Sequence, residues 1–164
     1  MNLQTIRIDT ASLTLPDAFD LVFVVAAVAF NLLIVAIFVA MKHGRVKLTR
    51  ALGIVWLALA VPLVVVFARY LLIGRDARIL LCFGGIFLYM AVEFLLDYVL
   101  KFDFRRKWVT HAPYIVLEYV GLFSLIAIAF SIDRNSGYIV SVSFWILMAG
   151  LVYAYAGKKK GALT

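Results

Sequence analysis

Five apolar runs, at 19–41, 51–73, 78–100, 111–132 and 138–156, are separated by short polar connectors. A helix needs about 20 apolar residues to cross a hydrocarbon core, and each run supplies roughly that length. Spanning segments must satisfy their backbone polar groups internally, which helices do alone. The pattern predicts an all-α, polytopic integral membrane bundle of five transmembrane helices. It forms a single domain, with a short segment at 1–18 before the first span and a basic tail at 157–164.

Punctuation residues fall where the pattern wants them. Thr14-Leu15-Pro16-Asp17 suits a helix start, because proline fits a first turn and an early acid suits the helix dipole. Gly44 lies in the basic connector 42–50, and Gly74 opens a tight turn before the third span. Asp133-Arg134-Asn135-Ser136-Gly137 predicts a turn between the last two spans. Pro62 sits mid-span and removes one helix hydrogen bond, so a bend is expected in the second helix. Asn31, in the middle of the first span, calls for a hydrogen-bond partner on a neighbouring helix. Gly84-Gly85 and the Gly150/Ala154 pair offer small faces for close helix approach, within the bundle or between copies or other membrane subunits.

Composition agrees with the pattern. The chain is 66% hydrophobic with a mean hydropathy of +1.06, too apolar to cover the surface of a water-soluble domain. The net charge of +7 would suit nucleic acid if it formed a patch. Instead it is divided among connectors, so nucleic acid is excluded as a partner. Lys42, Arg45, Lys47, Arg50, Lys101, Arg105, Arg106, Lys107 and the lysines at 158–160 fall on one side of the predicted membrane. Arg7, Arg69, Arg75, Arg78 and Arg134 fall on the other. The positive-inside rule then puts the C-terminus in the cytoplasm and the N-terminus outside. The predicted location is a cell membrane, multi-pass, meaning the cytoplasmic or inner membrane in a bacterium or archaeon. Arg105, Arg106, Lys107 and Trp108 form a basic-aromatic group of the kind that contacts anionic phospholipids at the cytoplasmic face.

Ionisable residues inside spans are costly and are the default functional candidates. The third span carries Tyr89, Glu93 and Asp97 four residues apart, followed by Lys101. The fourth carries His111, Tyr114 and Glu118 at i, i+3 and i+7. Each series shares a helix face. Glu93 and Glu118 each lie about seven residues from the basic connector between these helices. That predicts matched depths of roughly 10 Å on neighbouring antiparallel helices. Two carboxylates cannot stay charged, close and dry: one binds a proton or a cation joins them. Glu93, Glu118, Asp97, His111, Tyr114 and Tyr89 are therefore the candidate proton- or cation-binding group. Lys101 or Arg105 is available to neutralise Asp97 at the membrane edge.

Other chemistry is poorly served. The lone Cys82 precludes an internal disulfide. His43 and His111 are the two histidines, and no Glu-x-x-His pair exists for a di-metal site. No metal or other cofactor is expected, nor is a nucleophile-base motif present. The leading expectation is a transporter or ion-pathway component. A non-catalytic assembly subunit is the first alternative. A lipid-modifying enzyme at the inner leaflet, using Asp97, His111 and Arg105 to Lys107, is the second.

Overall fold

In the computed structural model the described residues are 17–100 and 108–156, with side chains in the second stretch described from residue 112. They form α1 (Ala18–Lys42), α2 (Val46–Ala58), α3 (Ala60–Leu72), α4 (Ala77–Phe94), α5 (Trp108–Ile132) and α6 (Arg134–Tyr155). A π-helical turn at Leu95–Val99 extends α4. Among the described residues there is no strand. Taking α2 with α3 and α4 with its π turn, five helical rods are long and apolar enough to cross a membrane. The rods alternate in direction. One end of the bundle carries Asp20, Arg75 and Asp133, and the other carries Lys42 and the end of α6.

Local chemistry sets the ends. Gly44 and Gly74 adopt φ of 67° and 65°, the left-handed conformation that glycine takes without strain. In both turns the next amide reaches back five residues, Arg45 to Ala40 at 3.0 Å and Arg75 to Tyr70 at 3.0 Å. This helix closure satisfies carbonyls that the last turn leaves open. It also completes the first turn by Arg45, so α2 begins at Val46 and carries Lys47 and Arg50 on the helix rather than in a connector.

The second rod breaks at Leu59, just before Pro62. A proline in a helix clashes with the carbonyl four residues earlier, here that of Ala58, and cannot donate to it. The chain responds by ending α2 at Ala58 and restarting at Ala60, which puts Pro62 in the first turn of α3.

The expected turn at 133–137 contracts to one residue. Asp133 caps α6, accepting from the amides of Asn135 at 2.8 Å and Ser136 at 2.9 Å, so residues 134–137 are already helical. Gly137 serves packing instead of turning, since a Cβ there would overlap the Phe130 ring.

α1 packs against α6, α2, α3 and α5, while α5 lies between α4 and α6. Asn31 on α1 donates to Ser143 Oγ on α6 at 2.8 Å, the interhelical partner that a mid-span amide requires. A Cβ on Gly150 would lie 3.0 Å from a Val35 methyl on α1, so this small residue serves contact within the bundle. Lys42 Nζ donates to the Tyr153 carbonyl at 2.6 Å and lies 3.4 Å from the centre of that ring, tying the ends of α1 and α6 together. The core centres on Phe23, Phe30, Leu63, Val66, Phe83, Ile86, Leu125 and Ile128. Outward faces remain apolar on every rod, with Leu21, Val25, Val61, Leu81, Phe123, Trp145 and Val152 all exposed. Water-soluble monomers do not display such a continuous apolar exterior. The bundle is compatible with a membrane protein.

Candidate functional site

α4 and α5 are held close where their small residues meet. A Cβ on Gly85 would lie 3.1 Å from Ser124 Oγ, and one on Gly121 would lie 3.0 Å from the Tyr89 ring. Toward the Lys42 end the helices part around a cavity of about 730 Å³. Its floor is buried and apolar, formed by Ile34, Trp56, Leu122 and Leu147. Tyr89, Glu93, Tyr114 and Glu118 line its walls. Arg50, Asp97 and Tyr155 are exposed at its rim.

Five of the six acid, imidazole and tyrosine candidates thus line one space, though they come from two helices. Glu93 and Glu118 are both half-buried. The Tyr114 hydroxyl donates to Glu93 Oε2 across the α4–α5 interface. The rings of Tyr89 and Tyr114 lie 6.1 Å apart and tilted, which orders the wall on which both acids sit. His111 belongs to the first turns of α5, but its side chain lies outside the described residues, as does that of Trp108. Arg105, Arg106 and Lys107 lie outside them altogether, and so does Lys101.

Of the expected ladder of Tyr89, Glu93, Asp97 and Lys101, the first three line the cavity, and Lys101 lies outside the described residues. From Leu95 the helix widens, and the Leu100 amide bonds to the Leu95 carbonyl at 2.8 Å, an i to i−5 link. Asp97 lies within this wider turn and is exposed at the rim. The same turn carries Tyr98 to α2, where its hydroxyl occupies the space that a Cβ on Gly53 would fill. Among the described residues, no three His, Cys, Asp or Glu groups lie where they could hold a metal ion together.

Sequence reading missed three participants. Arg50 looked like a connector cation, and only the early start of α2 brings it to the rim. Trp56 has no mark of its own within the second apolar run. It is 3% exposed and packs at 5.5 Å from Tyr89, yet its indole Nε1–H has no acceptor among the described residues.

Asp20, the third, is one acid in the first turn of an apolar run and passes for an interfacial charge. It is 8% exposed, accepts from the Tyr70 hydroxyl and faces Arg75 Nη2 at 3.4 Å. This second cluster pins α1 to α3 at the far end. Arg69 nearby stays partly exposed, 3.9 Å from Asp17 and stacked over Phe19 at 5.6 Å.

Comparison of the chain with family models, with curated proteins and with solved structures finds no match in any of the three. The reading of the cavity therefore rests on its own chemistry.

Proposed function

We propose that this chain is a multi-pass membrane protein that moves a small solute or ion through the Lys42-end cavity, with Glu93 and Glu118 as its exchangeable proton- or cation-binding groups. The observation that carries the reading is the convergence of these two carboxyls, from different helices, on one cavity whose wall includes the Tyr114–Glu93 hydrogen bond. A carboxyl in an apolar cavity can be neutral with a proton or charged with a cation, but not charged and alone. Exchange of one state for the other is the elementary step of coupled transport. Asp97 and Tyr89 line the same cavity, and we include His111, in the first turns of α5, in the proposed group. The distribution of basic residues supports a cytoplasmic C-terminus and an outward N-terminus. Arg105, Arg106, Lys107 and Trp108 then contact anionic headgroups of the inner leaflet.

The decisive experiment is flux in liposomes containing the purified chain, driven by an imposed pH gradient. Glu93→Gln and Glu118→Gln should each lower proton flux at least tenfold. Tyr114→Phe, which leaves both acids in place, should lower it less. Undiminished flux in both glutamine variants refutes the reading.

A further inference from the structure

We propose that the cavity takes one acyl chain of an anionic phospholipid from the adjoining leaflet, entering between α2 and α4 and leaving its phosphate beside Lys47 and Arg50. This rests on the membrane reading given above and adds an occupant for the same cavity.

The doorway follows from how the rods pack. α1 packs on α2 and on α6, α6 on α5, and α5 on α4, so helix contact closes the cavity on those sides. α2 and α4 complete the ring, but they are not closely packed on each other. It is α3 that packs on α4, and on the other side of the break at Leu59 α2 leaves it. Aromatic side chains cross the gap instead, Trp56 to Tyr89 at 5.5 Å by the floor and Tyr98 to Gly53 nearer the rim. A half-buried tyrosine can change rotamer without unpacking a helix. The lip of the gap is apolar. Ile54 lines the cavity yet is 56% exposed, and Phe94, stacked on Tyr98, is 48% exposed. In a spanning bundle such residues face lipid tails, which are as apolar as they are.

The interior suits a chain. About 730 Å³ lies within the roughly 300–1,000 Å³ of small-molecule sites. Ile37 and Phe38 on α1, with Met148 and Leu151 on α6, continue the apolar floor along one side. Glu93 and Glu118 belong to the α4 and α5 wall, so a chain laid along α1 and α6 leaves that wall to its own chemistry.

Charge selects the head. A shallow groove on α2, lined by Val46, Lys47, Arg50, Ala51 and Ile54, shares Val46, Arg50 and Ile54 with the cavity. Lys47 and Arg50 are exposed and one helix turn apart. A phosphate in the groove would meet both, and the guanidinium fork matches phosphate geometry. Ile54 then leads the chain inward. A lipid of net negative charge gains from both cations, whereas a choline head brings a cation of its own to the same place.

The test uses Trp56, 3% exposed within the bundle, as reporter. The full chain carries Trp108→Phe and Trp145→Phe, so that Trp56 is its one tryptophan. It is placed in nanodiscs of phosphatidylcholine with a minor fraction of phosphatidylglycerol. Bromine on the acyl chains of one lipid or the other quenches an indole it approaches. Brominated phosphatidylglycerol should lower Trp56 emission at least twofold more than the same fraction of brominated phosphatidylcholine. Lys47→Gln with Arg50→Gln should abolish that preference. Ile37→Phe with Met148→Phe, which fills the apolar side, should restore the emission. Emission indifferent to bromine, or quenching that survives the filled cavity, overturns entry of a chain. Equal quenching by the two lipids overturns the head site. If the filled variant does not fold, native mass spectra of the wild type decide: one retained phosphatidylglycerol per chain is expected, and a chain released bare overturns the inference. Glutamate-dependent proton flux without quenching overturns this inference and leaves the proposed function standing. Quenching without such flux does the reverse, and absence of both overturns the two together.

Discussion

At the Asp20 end, Phe23, Tyr70 and Phe83 are fully buried and meet edge to face, with ring centres 5.6 and 5.8 Å from Phe83. Phe67 joins them at 5.5 Å, and Asp20 ties to Tyr70 and Arg75 just beyond. At the Lys42 end, the continuations of the same rods surround about 730 Å³ of space. Two rods change character between these ends. The second breaks at Leu59, and the third widens into a π turn at Leu95–Val99. Both irregular stretches belong to or border the hollow half. Irregular backbone at membrane depth is tolerated where it lines a cavity, and π turns recur at functional sites. The comparison teaches that one half of the bundle is specified by side-chain packing, while the other is shaped by departures from regular helix.

Matched truncations put that contrast at most risk. Phe83 is 0% exposed, whereas Phe38 is half-buried and already faces the cavity. Phe83→Ala should cost on the order of 3 kcal/mol, because it opens a void among well-packed rings. Phe38→Ala should cost less than about 1.5 kcal/mol, because it enlarges existing space and forfeits fewer contacts. Unfolding in mixed micelles measures both, and equal losses would dissolve the distinction between the halves.

Next in size is the Asp20 cluster. Asp20→Asn keeps the shape but removes the charge facing Arg75, and should destabilise the protein by about 1–3 kcal/mol. Proton flux should be unchanged. A flux defect as large as that of Glu118→Gln would show that the two ends do not differ in this respect.

The smallest effect concerns the cap of α6. Hydrogen bonds from the Ser136 hydroxyl and amide, and from the Asn135 amide, hold the Asp133 carboxyl below the ordinary carboxylate range. Its folded pKa is therefore below its unfolded pKa. Its contribution is present above the unfolded value and is lost as pH falls through the folded one. Thermal melts of the wild type should show a small loss below about pH 4. Asp133→Asn should lack that component, and a wild-type profile identical to the variant's would rule out a stabilising cap.

Much of the site could be read in advance because membrane depth is nearly one-dimensional. Counting residues from a basic connector put Glu93 and Glu118 at one level, and adjacency of helices joined by a short connector supplied the rest. The π turn that carries Asp97 has no local sequence mark, because ladder spacing assumes regular helix. Arg50 depended on where α2 starts, which hydrogen bonds around Gly44 decide. Asp20 and Trp56 resemble countless interfacial acids and core aromatics. What distinguishes them is a partner gained in one case and, among the described residues, no acceptor in the other, and both depend on residues far away in the chain.

By itself the sequence determined the helical class, the number of apolar rods and their approximate limits. Hydropathy acts residue by residue, and helix rise is constant, so these follow from order along the chain. Only the tertiary structure decided that the rods close over one end and part at the other. It alone brought Trp56 and Arg50 to the cavity that the glutamates line and set Asp20 against Arg75. Those outcomes depend on which side chains meet across helices. Packing complementarity in three dimensions settles such meetings, and no single run of sequence carries that information.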